Sequence, residues 1–150
     1  MRGPRISDDE LSTWRAFLNA HATATASIEE DLRAAGRPPL AWYDVLWPLH
    51  RASGGRLRMG ELSDEVVLSR TGMTRLVDRI EGAGLLRREP VPDDRRGAYA
   101  VITPAGERAL RDMWPVYARG IRKHFLAAVA GDAAAVRAAL ERVAHPAATA

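Results

Sequence analysis

The chain has no cysteine. That excludes a disulfide framework, a thiol nucleophile and a thiol redox switch. It has a single lysine, Lys123, so nearly all of its positive charge is arginine. Arginine's rigid fork suits phosphates and guanine edges, but a formal charge of +3 on 150 residues is by itself a weak pointer to nucleic acid. No apolar run approaches the ~20 residues of a membrane span. Residues 1–10, MRGPRISDDE, lack the apolar stretch of a secretory signal, so the cytoplasm is the expected location. The spacings of common catalytic motifs are missing too. There is no G-x-S-x-G, H-E-x-x-H or phosphate loop, and His21, His50, His124 and His145 are scattered. No enzyme, metal site or other cofactor is expected.

What is present is helical patterning. At 47% hydrophobic, the chain has enough apolar residues for a sizeable core and reads as one unit over 1–150. Ser7 with Glu10 three residues on is a capping box. Leu11, Trp14, Leu18, His21, Thr25, Ile28 and Leu32 then form one helical stripe ending near Gly36. His21 and Thr25 read either as a partly exposed seam or as polar anchors in a ligand cavity. After Pro38-Pro39 a second helix runs from Leu40 to Arg51, and Pro48 within it predicts a kink or an end.

The middle of the chain changes character. Arg56 to Met59 reads as a short strand. Residues 60–67 read as a short helix with Leu62, Val66 and Val67 inward. Ser69 is a natural N-cap for a helix over 70–83. Its inward residues are Met73, Leu76, Val77 and Ile80; its outward residues are Arg70, Thr71, Thr74 and Arg75. Gly72 is costly inside a helix, and close backbone approach to DNA would explain it. Leu85 to Val91 and Ala98 to Thr103 are β-like, separated by the turn sequence Pro92 to Gly97. Thr103-Pro104 starts a long helix carrying Leu110, Met113, Trp114, Tyr117, Ile121, Phe125 and Val129, with a kink predicted at Pro115. Gly131-Asp132 ends that helix and caps a last, alanine-rich one.

Two short helices followed by a hairpin are the parts of a winged helix-turn-helix, whose second helix enters the major groove. From Ser69 to Ile80, Arg70, Arg75 and Arg79 stand against Asp78 alone, with small hydroxyl residues between them. The hairpin tip carries Arg95 and Arg96. These suit a narrow minor groove, although the same tip also reads as a solvated charged turn. Asp93 and Asp94 beside them would repel phosphate if free, so at least one is expected to pair with an arginine.

The run from Leu62 through Ser69, Thr74-Arg75-Leu76-Val77-Asp78-Arg79, Gly84-Leu85 and Asp94-Arg95-Arg96-Gly97 to Thr103 resembles the MarR family of bacterial transcriptional regulators. The resemblance covers nearly the whole chain. It implies a mainly α (α+β) fold of about six helices with a β-hairpin wing. It implies a DNA-binding lobe over 56–103, and helices over 7–36 and 104–146 that form a homodimer. Double-stranded DNA with a palindromic operator is the implied partner. Recognition would fall to Ser69, Arg70, Thr71, Thr74, Arg75 and Arg79, with wing arginines Arg95 and Arg96 braced by Asp94. Many relatives are repressors released by small aromatic or anionic ligands. Trp14, Leu18, His21, Trp42, Tyr43, Trp47 and His50 are candidates to line such a site, or else are core and interface residues. Two alternatives remain: a metal-responsive regulator of the same fold, with His21, His50 and His124 assembled at long range, and a helical dimerisation protein that no longer binds DNA.

Overall fold

The computed structural model describes residues 5–67 and 71–146. In chain order the elements are α1 (Asp8–Ala34), α2 (Leu40–Arg51), β1 (Arg56–Arg58), α3 (Met59–Glu65), α4 (Met73–Gly82), β2 (Leu86–Val91), β3 (Asp94–Ile102) and α5 (Pro104–Ile121). A π-helical turn, Arg122–Leu126, then leads through α6 (Ala127–Val129) to α7 (Ala133–Ala144). The chain divides into two compact units: Glu29–Tyr117, and Met1–Ile28 with Ala118–Ala150. The divisions fall inside α1 and α5.

The unit Glu29–Tyr117 holds a closed core. Leu32, Val45, Leu46, Leu49, Leu62, Val66, Val77, Ile80, Leu86 and Met113 are all less than 2% exposed. The sheet is antiparallel, in the order β1-β3-β2. Thr103 joins it to α5. Its hydroxyl donates to the Gly84 carbonyl at 2.6 Å and accepts from the Gly106 N–H at 3.1 Å, so one side chain both ties the α4–β2 link and caps α5. Gly106 packs directly on that link, because a Cβ there would run into the Leu85 carbonyl.

The other unit begins with the expected capping box. The Ser7 N–H donates to Glu10 Oε2 at 2.8 Å, and the Glu10 N–H to Ser7 Oγ at 3.2 Å. Within α1, Thr25 turns its hydroxyl back onto the His21 carbonyl at 2.7 Å, satisfying itself locally. Leu11, Trp14, Phe17 and Leu18 lie exposed on the same helix.

Helix α2 runs through Pro48 to Arg51 and α5 runs through Pro115 to Ile121, as the apolar pattern implies. Other expectations are corrected. The long C-terminal helix leaves α geometry at Arg122, well before Val129. Asp132 precedes α7 but makes no side-chain cap. Val67 is 81% exposed, because α3 stops at Glu65 and the chain has already turned out of the helix. Helix α4 starts at Met73, three residues later than expected, with Gly72 at its N-cap. Gly72 has φ +77 and open space where a Cβ would stand. Its glycine therefore serves a left-handed turn. Strand β3 starts at Asp94, so only Pro92 and Asp93 remain as the turn.

Candidate nucleic-acid interface

The recognition helix follows from its spacing. Met73, Leu76, Val77 and Ile80 are buried, which leaves Thr74, Arg75, Asp78 and Arg79 on the exposed side. Thr71 is exposed in the turn before the helix. Ser69 and Arg70 lie outside the described residues. Two acids on α4 are covered from the sheet. Arg88 of β2 places Nη2 2.7 Å from Asp78 Oδ1 and Nη1 2.7 Å from Glu81 Oε1. Its own N–H donates to Glu81 Oε2 at 2.7 Å.

The wing is a bulge held by one carboxylate. Pro90 pairs with Ala98, but the next residue, Val91, pairs with Asp94, so Arg95, Arg96 and Gly97 protrude without partners on β2. Asp94 Oδ1 accepts from the N–H groups of Arg96 and Gly97, both at 3.1 Å. Its Oδ2 lies 3.4 Å from Arg58 Nη1. The expected acid–arginine pair at the tip is thus made with Arg58 of β1 and with the wing backbone, not with a wing side chain. A Cβ at Gly97 would stand 2.6 Å from Asp94 Oδ2, so only glycine leaves room for this arrangement. Arg58 sits opposite Tyr99 of β3, whose ring also carries Arg56 at 4.5 Å from its centroid.

Asp78, Glu81 and Asp94 are engaged, and the arginines are exposed. Arg75, Arg79, Arg95 and Arg96 are all exposed and have no carboxylate partner among the described residues. Sequence reading missed Arg58 and Arg88 because it paired neither the strand from Arg56 to Met59 with the hairpin nor the hairpin with the recognition helix. The available signal was alternation: Leu86 faces inward, so Arg88, two residues on, faces α4 as well.

The residues considered for a ligand fall in both units. Trp14, Leu18 and His21 are exposed on α1. Trp42, Tyr43, Trp47 and His50 belong to Glu29–Tyr117. Tyr43 is 8% exposed and is a core residue there, stacked on Trp47 at 5.9 Å and on Trp114 at 6.3 Å between centroids. Burial holds the phenols of Tyr43 and Tyr117 above their ordinary pKa, with Tyr117 adding to the first effect and Asp44 to the second. His50 stacks on Trp47 and places Nδ1 2.7 Å from Glu107 Oε2. In this unit an open cavity of about 460 Å³ is lined by Asp44, Trp47, Pro48, Arg51, Ala52, Leu57, Glu65 and Val67. Among the ligand candidates, Trp47 alone lines it. No group of three or more potential metal-binding side chains occurs among the described residues. Nor is any helix there long and apolar enough to cross a membrane.

A helix with exposed arginines beside a braced basic bulge, on a three-stranded sheet, defines a winged helix-turn-helix. Residues 36–97 match the model of the MarR family. The chain is 36% identical over 116 residues to the HTH-type transcriptional regulator MhqR of Bacillus subtilis, covering 77% of this chain and 78% of the relative. It is similar to AbsC, a MarR family transcriptional regulator from Streptomyces coelicolor, at a TM-score of 0.82 and 31% identity, over 95% of this chain and 96% of AbsC. Its fold also matches Sco3205 of the same organism, solved in complex with DNA, at a TM-score of 0.80 and 23% identity, over 98% and 95% of the two chains. The chain belongs to the MarR family of transcriptional regulators.

Proposed function

We propose that this regulator reads a palindromic operator as a homodimer. Thr71, Thr74, Arg75 and Arg79 face the major groove, and Arg95 and Arg96 reach the minor groove. Ser69 and Arg70, by the family resemblance, complete the recognition surface. The observation that carries this is the set of four arginines on α4 and the wing with no carboxylate partner among the described residues, beside acids held by Arg58 and Arg88. The DNA in the Sco3205 complex supports the same reading. Two copies would place their reading helices about one turn of DNA apart, ~34 Å. The lobe is assigned to 56–103 and the dimer helices to 7–36 and 104–146.

The test is equilibrium binding to the intergenic duplex beside its own gene, over a series of salt concentrations. Binding is expected to weaken steeply with salt, because phosphate contacts release counterions. Arg96→Ala is expected to weaken binding to all sequences and to reduce the salt slope by about 1. Thr74→Ala and Arg75→Ala are expected to alter base preference. Binding that is independent of salt, or that all three variants leave at the parent's level, overturns the reading.

A repressor released by a small aromatic or anionic effector is the second reading. It is favoured by the cavity beside exposed Trp47, whose volume lies in the range of small-molecule sites. A thermal-shift screen with aromatic carboxylates tests it. A hit that also releases DNA supports it; stabilisation unchanged by Trp47→Ala puts the ligand elsewhere.

A further inference from the structure

Asp78 poses an electrostatic problem for the recognition helix. It follows Thr74 by four residues and Arg75 by three, so it shares their exposed face. Its side chain is 57% exposed. Glu81, 37% exposed, flanks the same face. Two carboxylates beside the groups that must approach phosphate oppose binding, since like charges brought together across an interface are costly.

Arg88 answers both acids at once. It lies two residues from buried Leu86 on the strand face that packs against α4. From there its fork spans the helix, one nitrogen to each carboxylate at 2.7 Å, while its backbone N–H holds Glu81 at 2.7 Å. It is the more sheltered partner, 27% exposed, so the pairs form against the protein surface and are screened less than free surface pairs. A lysine cannot copy this, because an ammonium is a point charge without the planar fork. The three bonds also fix α4 against the strand that leads into the wing.

We infer that Arg88 is a positioning residue for DNA recognition: it masks the two carboxylates of the recognition helix. The inference rests on the DNA-contact assignment above. Arg88 itself touches no DNA in this account.

A mutant cycle on the full chain tests it, using a labelled duplex of the intergenic region beside its own gene and a random duplex as control. Arg88→Ala is expected to weaken specific binding about 10- to 100-fold. Adding Asp78→Asn and Glu81→Gln to that variant is expected to restore binding to within about 3-fold of the parent. The same two substitutions with Arg88 intact are expected to change binding by less than about 3-fold, because the acids are already masked. Arg88→Lys is expected to recover only part of the loss.

Neutralising the acids with equal benefit in both backgrounds overturns the masking role. So does Arg88→Ala binding like the parent while Arg75→Ala does not. If Arg88→Ala loses its thermal transition and the triple variant recovers no binding, Arg88 is a folding residue only and the inference fails. If the parent itself prefers no duplex, the DNA-contact assignment falls and the inference with it.

Discussion

The two units use similar residues to different ends. In Glu29–Tyr117, the large apolar side chains close on one another: Leu46, Leu49 and Leu62 are fully buried. In the unit formed by the chain ends, Trp14 is 56% exposed, Phe17 and Leu18 44%, and Val143 75%. Hydrophobicity alone does not separate the two. What separates them is whether the chain supplies a second layer to cover the first. Helix α1 contains both cases: Ile28 and Leu32 at its end are buried, while Leu11, Trp14 and Leu18 at its start are not. Apolar residues gathered along one exposed helix are the usual mark of a protein–protein surface, and a second copy of this chain fits the proposed dimer.

The largest effect expected is on the closed core. Leu46→Ala should lower the unfolding free energy by ~2–5 kcal/mol, as lost transfer energy and an unfilled cavity add together. Leu18→Ala, the same chemical change on an exposed position, should leave the stability of Glu29–Tyr117 nearly unchanged. Denaturant unfolding of both variants measures the contrast; equal losses would show that α1 is covered within one chain. Next in size is Trp14→Glu. A charge on the exposed stripe should weaken self-association by about 100-fold, ~2.7 kcal/mol, and DNA binding with it. Sedimentation across a concentration series gives the readout, and an unchanged association constant would place the interface elsewhere.

A smaller contrast lies within the closed unit. Gly106→Ala should destabilise it by ~1–3 kcal/mol, because the new methyl meets the rigid Leu85 carbonyl. Gly82→Ala should instead stabilise it by ~0.5–1 kcal/mol, since that glycine is helical with nothing within 4 Å of the added carbon. Thermal melts of the pair distinguish close approach from conformational entropy as the reason for each glycine.

Local rules were legible in the sequence where a single side chain or a clear period decided the outcome. Ser7, Thr103 and the apolar period of α4 predicted their elements, and the family resemblance supplied the fold. The start of α4 was not legible, because Ser69 is a good cap by residue type while the chain turns again at Gly72. Non-local pairs were the other gap. That Asp94 pairs with Arg58, and that Arg88 takes both α4 acids, depends on strand register and on which face of β2 meets the helix. The exposed state of Trp14 was equally out of reach, since an apolar stripe reads the same whether its cover is the chain itself or a second copy.

The smallest effect asks whether the open unit organises itself locally or needs a partner. The N–H of Ser7 and, secondarily, its hydroxyl hold the Glu10 carboxyl below its ordinary pKa. A carboxyl whose pKa is lowered by folding contributes stability that is fully present above the ordinary carboxylate range. That contribution is lost as pH falls through the lowered value. Glu10→Ala should therefore speed hydrogen exchange of the first-turn amides of α1 at neutral pH, and the difference from the parent should shrink on acidification. Because the box closes within four residues, the same difference should persist when Trp14→Glu has separated the copies. If it vanishes in the separated chains, the start of α1 is ordered by the partner surface and not by its own cap, and the two units differ in folding as well as in burial.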